Sequence, residues 1–179
     1  MKKFSKGFTL IELLIVIALL GALAVGLLAA LDPFEQLKKG TDTGIRNTVS
    51  EFHGATIRFY ALKNQMPWCD PAVSPATCND PNDVTLTTLN GAPYYTAVDQ
   101  VVNSGELKTE FVNLAGNQMG SIHVSGVNDP PTMSVCFMPT SKSFQADKNT
   151  KYGSDGQLYS VAGSCKSAGG AVDCWWCIQ

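Results

Sequence analysis

The chain has 179 residues and a formal net charge of −2 at pH 7. This length allows one domain beside any membrane segment. The slightly acidic balance argues against a generally basic surface of the kind that binds nucleic acid, and it leaves open a local basic patch. The sequence offers no nucleophile with a matching base, no phosphate-binding loop and no paired carboxylates, so we expect no enzyme and no cofactor.

An apolar segment near the N-terminus dominates the sequence. It runs from Phe8 to Leu31 and contains one charged residue, Glu12. As a helix it would extend about 36 Å, which is enough to cross the hydrocarbon core of a bilayer. A carboxylate inside such a helix costs about 2.5–3.5 kcal/mol on insertion scales, so Glu12 should have a partner and a function. Because lysines precede the segment and none lies inside it, we expect the N-terminus in the cytoplasm and the rest of the chain outside. These lysines are Lys2, Lys3 and Lys6.

The start of this segment resembles the N-terminus of a type IV prepilin and of the related type II secretion pseudopilins. The resemblance is carried by KGFTLIELLIVIALLG, from Lys6 to Gly21. In that family a peptidase cuts after the glycine, here Gly7, and methylates the new N-terminal residue, here Phe8. The carboxylate that corresponds to Glu12 pairs with the N-terminal ammonium of a neighbouring subunit. The resemblance therefore implies a leader peptide over residues 1–7.

The same resemblance implies a function in assembly. The mature chain would be a structural subunit of an extracellular type IV pilus, a homo-oligomeric helical filament that serves adhesion, twitching motility or DNA uptake. Prepilin peptidase, an assembly ATPase and an inner-membrane platform would be its partners, and before assembly the chain would sit in the cytoplasmic membrane with its C-terminus outside. A local basic patch on the assembled filament, for DNA or a surface ligand, stays open. So do two alternatives: a pseudopilin of a periplasm-spanning type II secretion pseudopilus, and a membrane-anchored, disulfide-rich binding or redox protein. A plain secretory signal would explain the apolar segment but not the carboxylate inside it.

A second helix is predicted to follow the apolar one. Glycine weakens a helix and proline removes a backbone donor, so we predict a bend or local helix break near residues 21–33, with Gly21 and Pro33 as its weak points. Asp32 suits the N-cap of the second helix, with Pro33 at its first position. Residues 8–31 would form the transmembrane or filament-core half. Residues 32–63 would form an amphipathic half, with apolar side chains at three- and four-residue spacing.

Residues 64–179 are predicted to form a globular head that begins with a turn-rich loop. The fold class of the whole chain would be α+β and type IV pilin-like: a long N-terminal helix packed on a small C-terminal antiparallel sheet, stabilised by disulfides. A short helix is predicted first, interrupted near Gly105, and alternating apolar residues then predict strands. The predicted ranges are Tyr94–Phe111 for the helix and Ser121–Ser125, Thr132–Met138, Gln157–Val161 and Val172–Ile178 for the strands.

All six cysteines lie in the exported part, which indicates up to three disulfides in an oxidising compartment. In a strand, Cys174 and Cys177 would point to opposite faces and so bond to different partners. Of the fifteen possible connectivities we favour Cys69–Cys78, Cys136–Cys177 and Cys165–Cys174. A zinc site and a redox Cys-x-x-Cys are the alternatives. Neither His53 nor His123 is near a cysteine in sequence, so we expect no metal.

Overall fold

The computed structural model describes residues 7–30, 32–72, 77–158 and 174–179. The chain divides into two compact units, Met1–Leu37 and Lys38–Gln179. The first unit contains the apolar helix, and the second contains the sheet, both of the disulfides detailed below and the hydrophobic core.

Two long helices open the fold: α1 spans Leu10–Ala30 and α2 spans Pro33–Lys63. The carboxylate of Asp32 accepts the backbone N–H three residues further on at 3.3 Å, so it caps α2 as predicted. The helix boundary falls within the predicted region, before Pro33, but Gly21 is wrong as a break because α1 continues through this residue. A single glycine costs a helix only about 1 kcal/mol, and the leucine and alanine residues around it are strong helix formers. Proline lacks the N–H that a helix interior needs, which accounts for the boundary before α2.

One face of α2 carries the apolar side chains that build the core of the second unit. They recur at three- and four-residue intervals, as predicted for an amphipathic helix, and α2 is continuous through its two early glycines. At its C-terminal end Asn64 adopts a positive φ of 52°. Asparagine tolerates this left-handed conformation, which stops the helix. The buried residues of the face are Val49, Phe52, Ala55, Thr56 and Phe59.

The rest of the second unit is an antiparallel sheet with short helices, so the predicted α+β fold class is confirmed. The strand order is β1-β2-β3-β5-β4, and every neighbouring pair is antiparallel. The strands are β1 (Val84–Thr85), β2 (Ile122–Val127), β3 (Thr132–Phe137), β4 (Thr150–Tyr152) and β5 (Trp175–Ile178), and the helices are α3 (Leu86–Leu89), α4 (Ala97–Asn103), α5 (Phe111–Ala115), a 3₁₀ helix (Gly116–Ser121) and α6 (Lys142–Gln145).

Three sequence predictions need adjustment. The helix predicted over Tyr94–Phe111 is shorter than expected: it is α4 alone, with α5 starting at Phe111. Its interruption near Gly105 is present, because this residue has a φ of +83° that no helix accommodates. In the strand predicted over Gln157–Val161, Leu158 forms an isolated bridge with Tyr152, and residues 159–161 lie outside the described residues. Of the strand predicted over residues 172–178, the part from Trp175 onward is β5.

Disulfides connect the loop after α2 and the centre of the sheet. Cys69 bonds to Cys78, and Cys136 in β3 bonds to its register partner Cys177 in β5. Both are pairs that the sequence analysis favoured. Cys174 is also disulfide-bonded. The favoured pairing of Cys174 with Cys165 lies outside the described residues.

A buried carboxylate on α2 holds the chain that leaves β3. Asp42 is fully buried and accepts hydrogen bonds from two consecutive residues. Thr140 donates its backbone N–H at 3.1 Å and its hydroxyl at 3.0 Å. Ser141 donates its N–H at 2.8 Å and its hydroxyl at 2.6 Å. Four donors balance the cost of burying the charge, and they fix the position of this loop against the helix.

A glycine in β2 lets the largest core side chain approach the sheet. Trp68 is fully buried, and its indole N–H donates to Asp80 at 2.9 Å. A β-carbon on Gly126 would come within 2.8 Å of the Trp68 ring and 2.7 Å of the Thr132 carbonyl oxygen. The ring occupies space that any larger residue at position 126 would need.

Candidate assembly site in the N-terminal helix

Helix α1 has no polar face. Every residue from Gly7 to Leu28 is exposed. The residues of α1 are apolar apart from Glu12 in its first turn, and the polar Thr9 immediately precedes the helix. A helix that is apolar all round is typical of one that lies among lipid or among other helices. By length and composition, Leu10–Leu28 is the one helical stretch in the described residues suited to cross a membrane, a test that a signal sequence near an N-terminus also passes.

The single charge of α1 is bonded within its own first turn. The Glu12 carboxylate oxygen Oε2 lies 2.8 Å from the backbone nitrogen of Thr9 and 2.7 Å from its hydroxyl oxygen. In return the Thr9 hydroxyl lies 3.3 Å from the backbone nitrogen of Glu12. This reciprocal arrangement is a capping box, which satisfies donors that a helix N-terminus otherwise leaves unpaired. The negative charge also sits at the positive end of the helix dipole, where it is stabilised.

Because of the capping box, Glu12 already has a hydrogen-bond partner within its own chain. Sequence reasoning identified the carboxylate as a group that needs a partner from another subunit, but missed Thr9. The signal was available, because Thr-x-x-Glu before an apolar run is the sequence signature of a capping box. Both Thr9 donors use Oε2, and within the described residues no donor reaches the other oxygen, Oε1. The carboxylate therefore keeps one free acceptor while it caps its helix.

The cysteine and histidine candidates that the structure describes lie in the second unit and form no common chemical centre. Cys177 bonds to Cys136 and not to Cys174, so Cys-Trp-Trp-Cys is no dithiol pair. His53 lies on α2, half-buried, and burial lowers the pKa of its imidazole. His123 lies in β2 and pairs with Asp83 at 2.6 Å between Nδ1 and Oδ1. No cluster of three His, Cys, Asp or Glu side chains suited to a metal occurs among the residues that the structure describes.

Comparison with known proteins bears on the N-terminus alone. Residues 2–28 match the family model described as the prokaryotic N-terminal methylation motif. The N-terminus is a type IV prepilin or pseudopilin signal. The matched span contains Gly7, Phe8 and Glu12 together with most of α1, and it supports a place for the chain in the type IV pilin and pseudopilin family. No curated protein and no solved structure matches the chain.

Proposed function

We propose that this chain is the precursor of a structural subunit of an extracellular type IV pilus. The observation that carries the proposal is the methylation motif on a helix that is apolar on all sides and holds one acidic residue, Glu12, in its first turn. A helix of this composition gains stability by packing among other helices or in lipid. A structural, non-enzymatic subunit makes use of that property directly.

Processing would occur at Gly7 and Phe8. Both residues are exposed and precede α1, which begins at Leu10, so the scissile bond is in non-helical chain that a peptidase can bind. There is open space around the α-carbon of Gly7. Cleavage would remove the leader, residues 1–7, and its three lysines. The new N-terminal amine, on Phe8, would then be the site of methylation.

Assembly would use the free acceptor of Glu12. Cleavage creates an ammonium group at Phe8, four residues before the carboxylate. Inside a bundle of apolar helices an unpaired ammonium and an unpaired carboxylate each cost several kcal/mol, and pairing them between neighbouring subunits removes most of that cost. Because the capping box occupies Oε2 alone, Oε1 can accept the incoming ammonium without loss of the Thr9 bonds. The pair would set the stagger between subunits.

The partners follow from this route. The precursor would be inserted in the cytoplasmic membrane through residues 8–31 with its C-terminus outside, and prepilin peptidase would act at the cytoplasmic face. Extraction into the filament would need an assembly ATPase and an inner-membrane platform. Residues 32–63 and the head, residues 64–179, would then form the filament surface. Adhesion, twitching motility and DNA uptake are the activities that such a filament serves.

The test compares two substitutions in the first turn of α1. Glu12→Val removes the charge and both cap bonds, whereas Thr9→Val keeps the charge and the backbone donor and removes one hydroxyl. Cells that express each variant are sheared, and the released material is examined by electron microscopy and intact-mass analysis. We expect filaments from wild type and from Thr9→Val, built of a chain that starts at Phe8 and carries one extra methyl group. Glu12→Val should be inserted and cleaved normally but yield few filaments.

Three outcomes would point elsewhere. Normal filament yield from Glu12→Val would remove the assembly role of this carboxylate. A processed chain that stays with the envelope in every strain would favour the pseudopilin of a secretion system. A chain that keeps residues 1–7, in cells whose other prepilins are cleaved, would favour a membrane-anchored binding protein.

A further inference from the structure

The sheet of the second unit has a covered outer face. Along its strands, alternate residues point into the hydrophobic core, among them Val135, Phe137 and Trp176. Cys136 and Cys177 alternate with these and therefore project from the opposite face. Both cysteines are nevertheless buried, with exposed fractions of 0% and 3%. Something other than the core covers their disulfide.

Part of the cover is the segment after β4, residues 153–157, which we name the strap. The strap is a loop whose ends are joined by a hydrogen bond, since the Gly153 N–H donates to the Gln157 carbonyl at 2.9 Å. From β4 it extends over the outer face towards β1, and it contacts β5, β3 and β2. Backbone carbonyl oxygens of the strap contact residues of β5 and β2. The Gly153 carbonyl oxygen lies 3.7 Å from the Cys177 sulfur, and the Asp155 carbonyl accepts the Ser125 hydroxyl at 2.5 Å. The Gly156 carbonyl accepts the side-chain amide of Gln179 at 2.5 Å.

A hydrogen-bonded group holds the strap near β1. The Ser154 hydroxyl donates to one carboxylate oxygen of Asp83 at 2.8 Å. The other oxygen of Asp83 lies 2.6 Å from Nδ1 of His123 in β2. The ring of His123 in turn lies 4.5 Å, centroid to centroid, from the ring of Trp175 in β5, although β3 runs between these strands. The rings therefore meet across β3, on the face where Cys136 projects.

The strap can lie this close to the sheet because residue 156 is glycine. Gly156 has a φ of +76°, which side chains disfavour, and a β-carbon there would overlap the side chain of Ser134 in β3. Gly105 has a similar φ of +83° with no atom within 4 Å of the same position. The two glycines share a positive φ and differ in contact with the sheet.

We propose that the strap is a lid over the Cys136–Cys177 disulfide, and that thiols exchange with this bond only when the lid lifts. In the exchange a thiolate attacks the Cys177 sulfur, the disulfide breaks, and Cys136 leaves as a thiolate. The second thiol of a dithiol reagent then attacks the mixed disulfide, which releases Cys177 and closes the oxidised reagent into a ring. Two electrons pass from the dithiol to the cysteine pair. The Gly153 carbonyl lies beside the Cys177 sulfur and obstructs the first step.

The experiment measures the reduction rate of each disulfide in the same molecule. The full chain in detergent micelles is treated with dithiothreitol, samples are alkylated at intervals, and peptide mass mapping follows each bond. Gly156→Ala should lift the strap and speed reduction of Cys136–Cys177 about tenfold or more, while the rate at Cys69–Cys78 stays unchanged. Gly105→Ala, which introduces the same backbone strain away from the sheet, should leave both rates at the wild-type value.

Ser154→Ala provides the second test, because it removes one hydrogen bond of the strap and introduces no strain. It should speed reduction of Cys136–Cys177 about fivefold. If Gly156→Ala fails to fold, this variant decides the question. Equal rates at Cys136–Cys177 in wild type and Ser154→Ala would overturn the proposal. So would parallel acceleration of both disulfides in either variant, because that pattern means that reduction follows unfolding of the whole domain.

Discussion

Replacement of Asp42 by alanine should destabilise the second unit by an amount that the structure allows us to estimate. The carboxylate accepts from the N–H and hydroxyl groups of Thr140 and Ser141. The hydroxyls can rotate to other acceptors, and the exposed Thr140 can turn its N–H to water. The N–H of Ser141 is buried and would lose its acceptor, at a cost of about 1–3 kcal/mol. With the lost net contribution of the other bonds, we expect Asp42→Ala to lower the free energy of unfolding by about 2–4 kcal/mol.

The assay is denaturant unfolding of the full chain in detergent micelles, followed by tryptophan fluorescence. All three tryptophans, at positions 68, 175 and 176, belong to the second unit, so the signal reports its unfolding. Glu51→Ala on the exposed face of the same helix is the matched control and should change stability by less than about 0.5 kcal/mol. Asp42→Asn keeps one acceptor oxygen and should cost about half as much as Asp42→Ala. The reasoning is refuted if Asp42→Ala and Glu51→Ala unfold at the same denaturant concentration.

Three further predictions concern the same unit. Burial holds the pKa of His53 below its ordinary 6.5, so on acidification the unfolded state binds the proton before the folded state does. The free energy of unfolding should therefore fall as the pH falls from 6.5 through the folded pKa. His53→Leu should reduce that loss, as measured by denaturant titrations at several pH values. Gly126→Ala should lower the free energy of unfolding by about 1–3 kcal/mol, because its β-carbon would collide with the Trp68 ring and the Thr132 carbonyl oxygen. Gly120→Ala is the control, since there is open space around this residue, and it should leave stability unchanged. Equal thermal midpoints for the two variants would contradict this. Replacing Cys136 and Cys177 together by serine opens a loop of 41 residues. By the chain-entropy relation it should lower the free energy of unfolding by about 4 kcal/mol, measured by denaturant unfolding. A loss below about 1 kcal/mol would exclude that account.

The sequence predicted the elements whose apolar pattern is long enough to repeat. The apolar run of α1, the three- and four-residue spacing in α2 and the alternation in β2 and β3 each cover several periods, and all four elements are present. The two-residue β1 and three-residue β4 were missed, because alternation over so few residues is no signal. The uninterrupted course of α1 through Gly21 was also missed, since one unfavourable residue does not outweigh its strong helix-forming neighbours.

The candidate site was predictable in part for a similar reason. Glu12 stands out as one charge in an apolar run, and its capping partner Thr9 was three residues away in a recognisable pattern. The contacts of the outer sheet face were beyond the reach of sequence reasoning. Asp83 is 40 residues from His123 and 71 from Ser154, and these side chains meet only because the strand order brings their segments together. Such contacts depend on tertiary structure, which local patterns do not encode.

The placement of β5 has a consequence for how the chain matures. This strand comes after β4 in the sequence, yet it lies between β3 and β4 in the sheet. Until residues 175–178 are available, β4 lacks the strand that it pairs with in the sheet and Cys136 in β3 lacks its disulfide partner. On the export route proposed above, the head would therefore reach the far side of the membrane as an incomplete domain, tethered by its N-terminal helix. The Cys136–Cys177 disulfide would form only after β5 has arrived.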